Sequence, residues 1–273
     1  MSEANGLPVT PVAGPEGPSS VPSVSPPPLG LTLASLLRAD FTSQARNRRA
    51  WVLSVALPLI LLFALFAGNG KDRLGDPSVR VASCLTLGIA SIAVLAYSLS
   101  VARDRELGVF QRLRVAPAPS WAIMCSRLVV QVASILAMAV VLLVTAAIFV
   151  SVRLSAGAYV LTLVVVVVSS AEFLGIGQAL VGLIKSPDTV NAVGRLLYIP
   201  LFALGVFGHT TIFGRPFELI SRWSPAGAVA ALLSGAMHPA TWSFQTWFAL
   251  LASLAYAVVF AGLGIRWFQW TSR

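Results

Sequence analysis

Arg103-Asp104-Arg105-Glu106-Leu107-Gly108-Val109-Phe110-Gln111-Arg112-Leu113-Arg114 is a densely charged stretch lying between two long apolar runs. At 100° per residue, Leu107, Val109, Phe110 and Leu113 share one arc of a helix, and Asp104, Arg105, Gln111 and Arg112 share the opposite one. Glu106 projects from the middle of the apolar arc. A carboxylate there is costly against lipid but useful against a protein groove that offers Arg or backbone donors. The stretch therefore reads as a helix that docks in water on a partner protein. The plainer reading is a basic loop that only sets orientation in a membrane, a role that needs no ordered apolar face.

The sequence on either side supports the membrane setting. Hydrophobic residues make up 57% of the 273 residues and charged residues 11%, against about 25% charged in soluble domains. The mean hydropathy is +0.84. Apolar runs recur at the length of a bilayer crossing, roughly 20 residues at about 1.5 Å each. Six spans are expected, at about 51–68, 81–102, 128–150, 157–184, 191–213 and 247–267, with Pro58 tolerated in the first. The fifth carries Arg195 in its first turns, snorkelling to the interface, and Pro200 near its middle. The net charge of +9 is spread over short loops, a pattern of membrane topology rather than of nucleic-acid binding.

Residues 1–30 are rich in Pro, Ser and Gly and read as a disordered tail ahead of a membrane domain over 31–273. Leu33, Leu36, Leu37 and Phe41 then recur on one side of a helix, with Arg38, Asp40, Gln44, Arg46, Arg48 and Arg49 as its polar remainder. This reads as an interfacial helix in the headgroup plane, or as a basic flank that orients the first span. Between the fifth and sixth spans, the apolar run Ala226–Ala236 is too short to cross. With Pro216, Pro225 and Pro239 it forms a re-entrant segment of two helical pieces, Phe217–Trp223 and Ala226–Met237. On a six-span topology thirteen Lys and Arg fall on the side of the Arg103–Arg114 loop and six on the other. That places the loop and both termini in the cytoplasm.

Glu172 is the one acidic residue well inside a span, beside Ser169 and Ser170. Such a carboxylate faces a cavity or another helix, as a packing group, a substrate contact or a proton site. Ala171, Gly175 and Ala179 form a small-xxx-small row that admits a neighbouring helix, of this chain or of a second copy. Trp51, Trp121, Trp247, Trp267 and Trp270 fall at span ends as interfacial anchors. Tyr198, Phe202 and Phe207 on the fifth span are, with Glu172, candidate pathway residues by position. His209 and His238 read as separate surface histidines, and Cys84 and Cys125, at opposite depths, as free thiols. No metal-ligand spacing, nucleophile elbow or paired carboxylates give catalysis or metal binding a candidate. Gly68-Asn69-Gly70-Lys71 lacks the GxxxxGK[ST] spacing of a phosphate loop.

Extended to Val115-Ala116-Pro117, the charged stretch resembles the RERExGxxxRLRxTP segment of type-2 ATP-binding-cassette export permeases, the membrane subunits of bacterial drug, polysaccharide and lipid-type exporters. The resemblance extends over about 31–270 in the order of its elements: interfacial helix, six spans, cytoplasmic coupling helix after the second span, re-entrant outer segment before the sixth. Arg215–Pro225 is similar to the Pro-punctuated outer run of that family. The resemblance implies an all-α permease in a bacterial plasma membrane. It would pair with a second permease, a copy or a paralogue, and be driven by two cytoplasmic ATPase subunits that bind the ATP and Mg. This chain would hold no cofactor. Arg105, Glu106, Leu107, Phe110, Arg112 and Leu113 would couple to the ATPase, helped by Leu36, Leu37, Arg38 and Phe41 of the interfacial helix. The cargo implied is an amphipathic or lipid-linked compound. Relatives carry Ser-Gly-x-x-x-Pro where this chain has Leu204-Gly205-Val206-Phe207-Gly208-His209, so the outer gate departs from their pattern. The alternative is a membrane-embedded sensor or scaffold that docks a cytoplasmic partner without transport. A secondary carrier ranks third, lacking inverted repeats and further intramembrane charges.

Overall fold

A computed structural model describes residues 29–46, 48–67, 76–109, 120–210 and 213–267. These are helical almost throughout, with short turns between the helices. In chain order they form α1 (Leu29–Arg46), α2 (Arg48–Ala67), α3 (Pro77–Ala90), a π-helical segment (Ser91–Tyr97), α4 (Ser98–Glu106), α5 (Ser120–Phe149), α6 (Ala156–Leu183), α7 (Pro187–Phe207), α8 (Gly214–Arg222), α9 (Pro225–Met237) and α10 (Phe244–Trp267). By length and composition, five helices are able to cross a membrane: Pro77–Glu106, Trp121–Phe149, Ala156–Leu183, Pro187–Phe207 and Phe244–Trp267. The apolar part of α2, Val52–Ala67, is shorter. The chain is a multi-pass membrane protein.

Burial differs sharply between these helices. The α3–α4 rod has 78% of its most apolar window buried inside the protein, against 17% for α10. One helix is therefore the axis of the bundle, while α10 shows most of its surface to the surroundings. Apolar burial gains little free energy when the surroundings are lipid, so packing and close approach of backbones must hold such a bundle together. Glycine and alanine supply that approach. A Cβ added at Gly175 would sit 3.2 Å from the Ala261 nitrogen, and one at Gly182 3.1 Å from the Gly264 oxygen, so α6 and α10 meet backbone to backbone. The small-residue row thus packs within the chain, although Ala171 itself is exposed.

The π-helical segment also meets α6 at a glycine. Gly177 of α6 lies against the Ala93 carbonyl, where a Cβ would collide, and Ser91 Oγ donates to the Gly88 carbonyl at 2.9 Å. π segments inside α-helices tend to mark functional places; here Tyr97, its last residue, donates to Gln178 Oε1 of α6 at 2.7 Å.

Helix α9 is apolar on nearly all faces, as a fully buried helix should be. It packs against α3, α6, α7 and α10, with Val229, Leu232 and Leu233 at 0% exposure. At 13 residues it is about 20 Å long and does not cross. Its start is set by Ser224, whose Oγ accepts from Gly227 N at 3.0 Å, and by Pro225 in the first turn.

Three expectations from the sequence are corrected. The second span continues to Glu106, so Asp104, Arg105 and Glu106 end a bundle helix rather than begin a separate one. Gly108 adopts φ 68°, and Leu107 N and Gly108 N donate to Arg103 and Arg105 carbonyls: a glycine C-terminal cap interrupts the single helix drawn through 104–113. Arg80, counted as a loop charge, is 7% exposed, with its guanidinium 4.4 Å from the Phe66 ring centre. Phe41 of α1 points outward at 45% exposure, while Asp40 and Gln44 take the inner face.

Candidate functional site

Alternating helix directions gather α1, α4, the start of α5, the end of α6 and the start of α7 at one end of the bundle. The core of this end is Arg105. It is 3% exposed, and its guanidinium donates to the carbonyls of Val181 at 2.9 Å, Ile184 at 2.6 Å and Lys185 at 2.7 Å. The last carbonyls of a helix have no partner within it and carry the negative end of its dipole. A planar cation with a fork of donors satisfies several of them at once. Arg105 therefore fastens α4 to the end of α6. A side chain expected to face a partner protein is instead an internal tie, and among the described residues of this tip Arg103, Glu106 and Leu107 are exposed. Phe110, Arg112 and Leu113 lie outside the described residues.

One residue earlier, Asp104 accepts from Arg127 of α5 at 2.6 Å, with 27% and 14% of the two side chains exposed. Ser126 Oγ donates to Asp40 of α1 at 2.5 Å, and Gln44 reaches Ser134 Oγ at 3.4 Å. Asp40, Gln44, Asp104 and Arg127 border a small polar recess of about 60 Å³. The α1 helix is thus held on α5 by its inner polar residues as well as by Leu36 and Leu37, which are half-buried, while Arg38 faces outward. Sequence periodicity missed Asp40, Asp104 and Arg127 as a set, because nothing in spacing reveals pairs between helices.

The four candidate pathway residues fall into two separate places. Tyr198 of α7 donates to the Leu87 carbonyl of α3 at 3.3 Å. Phe202 and Phe207 stack edge to face at 6.1 Å, and the row continues through Phe213 at 5.7 Å to Phe217 at 5.1 Å. The space between α3 and α7 around Phe202 has no room for a water-sized molecule. Further round α7, Leu196 is 69% and Ile199 63% exposed. Glu172 lies elsewhere, sealed between α6 and α10 at 0% exposure, with Ser253 of α10 beside it. Neither Glu172 oxygen has a hydrogen bond of good geometry, nor do Ser169 and Ser253 hydroxyls.

At the other end of the bundle is an open cavity of about 510 Å³ bordered by Asp76, His209, His238, Ser234 and Thr246. The two histidines, read from the sequence as unrelated, share it. His238 Nε2 stands 3.8 Å from Asp76 Oδ1. Asp76 caps α3, accepting from Ser78 Oγ at 2.6 Å and Ser78 N at 2.8 Å. The Ser78 hydroxyl is the main reason its carboxyl sits below the ordinary carboxylate range, and partial burial opposes the shift. His209 is held below the usual imidazole range chiefly by burial, with Arg222 adding to the effect. Among the described residues, no group of three His, Cys, Asp or Glu is placed to hold a metal ion. Cys84 is buried and Cys125 exposed, both free.

Nearby, Ser221 Oγ donates to the Leu204 carbonyl at 2.9 Å, and Ser224 Oγ to the Ser221 carbonyl at 2.8 Å. Gly208 and Gly227 flank this knot so closely that a Cβ on either would overlap Ser221. The end of α7 and the start of α9 are joined at this point, within the segment that departs from the relatives' gate pattern.

No curated protein matches the chain. The family model for the ABC-2 type transporter matches residues 32–237, from the first turn of α1 to the last residue of α9. The match takes in the Arg105 tie, the α1–α5 contact and the buried short helix together. Such domains are the membrane components of their transporters, and this chain belongs to the ABC-2 type transporter family.

Proposed function

We propose that the chain is the permease subunit of an ATP-driven exporter, with α2 crossing as the first of six spans and both termini in the cytoplasm. It would work beside a second permease, with ATP and Mg bound by separate ATPase subunits. The observation that carries this reading is the Arg105 tie. Three hydrogen bonds make the ends of α4 and α6 one unit, and Glu106 and Leu107 stand exposed at its tip. A push on that tip moves two spans together instead of being lost in a flexible loop.

The pathway in this reading runs along the exposed apolar face of α7, between two permeases, since the α3–α7 contact within one chain is closed. Leu196 and Ile199 then join Phe202 and Phe207 as apolar contacts, which suits an amphipathic or lipid-linked cargo. Glu172 acts in the seal between α6 and α10. The test is co-expression with a candidate ATP-binding-cassette ATPase subunit. Glu106→Arg is expected to insert normally and to lose ATPase co-purification. Retained co-purification removes the docking role, and a partner that hydrolyses no nucleotide removes the transporter.

A further inference from the structure

Helices α5 and α10 both pack on α6 but hardly touch each other. Between them lies a groove of about 730 Å³. Its walls are a stripe of α5 from Trp121 through Leu128 to Val132 and a stripe of α10 from Val258 to Ile265; its floor is Ala171, Gly175 and Gln178 of α6. The groove exists because Ala171 and Gly175 on its floor are small and because α10 is drawn against the Gly175 and Gly182 side of α6.

Three features identify its occupant. The α5 wall spans about 16 Å at 1.5 Å per residue, close to half of the roughly 30 Å hydrocarbon thickness, the depth of one leaflet. Polarity is graded along that depth. Trp121, 56% exposed, and Gln178 lie toward the α1 end, and only apolar groups lie toward the bundle middle. Gln178 spends its Oε1 on Tyr97, so its amide NH2 is left as a donor to the groove. Exposed Arg266 adds positive charge at the α1 end, one residue beyond Ile265.

We propose that this groove binds one acyl chain of an anionic glycerophospholipid, with an ester carbonyl at the Gln178 amide and the phosphate on the Arg266 side. The inference needs the chain to lie in a bilayer but does not depend on ATP-driven transport. It makes the lipid a wedge holding α5 and α10 apart, beside the π segment that carries Tyr97.

The test uses the full chain in phosphatidylcholine vesicles doped with phosphatidylglycerol that carries a photoreactive diazirine in its acyl chain. Mass spectrometry of the cross-linked peptides is expected to find label on Leu128–Val132 and Ala171–Gly175, and also on the outward residues Leu53 and Ile60 of α2 as general lipid contacts. Filling the groove from its floor with Ala171→Phe, or from its wall with Val258→Trp, should cut the groove label about tenfold, a loss of about 1.4 kcal/mol in affinity. Label on α2 should stay, which reports that each variant still inserts. A diazirine phosphatidylcholine should label the groove less than the anionic probe. Groove label undiminished in both variants overturns the site, and equal labelling by the two probes overturns the anionic headgroup. Efficient disulfide formation between Cys125 of two copies would assign this face to a second chain and overturn the lipid.

Discussion

The two ends of the bundle hold their helices together by opposite means. At the α1 end, side chains cross between helices: Arg105 to three carbonyls, Arg127 to Asp104, Ser126 to Asp40. At the α8 end, glycines let the chain close on one small side chain: Gly208 and Gly227 close on Ser221, whose hydroxyl donates to the Leu204 carbonyl, and Asp76, His209 and His238 border an open cavity. Side-chain ties transmit force over a few ångströms and release when one bond is lost. Glycine contacts have no play and fail by steric collision. In the proposed function the first end takes the push of the ATPase, and the second stays in register.

The largest expected effect is at the first end. Arg105→Ala removes charged hydrogen bonds worth about 1.5–3 kcal/mol each and leaves buried carbonyls unpaired, so stability in detergent should fall by about 3 kcal/mol or more, with hydrogen exchange rising first at 181–185. Arg105→Lys should recover only part, because an ammonium lacks the planar fork. Equal stability of the alanine variant would show that the tie is idle.

At the second end, Gly227→Ala should cost about 2 kcal/mol through overpacking. Gly157→Ala, whose Cβ would meet nothing within 4 Å, should cost nothing measurable. A tolerated Gly227→Ala would mean the knot around Ser221 yields easily, and the contrast between the ends would lose its basis. A smaller change is expected from Asp104→Asn, about 1 kcal/mol for a partly exposed pair, read as faster exchange in α4 and the start of α5.

Pro225 marks the start of α9 where it was expected, while the Ser186-Pro187 start of α7 lies four residues ahead of the expected 191. The existence of the long helices was legible because apolar run length is a local signal. Arg105 was misread for the same reason. A helical wheel places it opposite the apolar arc, but its partners lie 76 to 80 residues away, on a helix end that the wheel does not see. Gly108, a C-terminal cap, was legible in principle, since glycine after a charged last turn is a stop signal. Tyr97–Gln178 and the cavity joining His209 to His238 depend on which helices are neighbours. That is set by the glycine contacts of α6 with α10 and with the π segment, and no single segment encodes it.

The least expected effect is a dependence on pH confined to the α8 end. The carboxyl of Asp76 lies below its ordinary range, so the stability it supplies is present above that range and is lost as pH falls through its folded value. Burial lowers His209 below 6.5, so the folded state favours neutral imidazole and acidification through that range favours unfolding. Both signs agree. Exchange at 225–230 should rise between pH 7 and pH 5, His209→Gln should remove that part of the rise, and amides at 181–185 should not follow it.

The central claim, that the exposed tip beyond Arg105 engages a separate ATPase, is tested most directly by site-directed cross-linking. With Glu106→Cys in a chain whose Cys84 and Cys125 are changed to Ser, a short bifunctional thiol reagent should join position 106 to the co-expressed ATPase in membranes, with a yield that changes when ATP is bound. Cross-links to no protein, or labelling of position 106 only from outside the cell, would contradict the account.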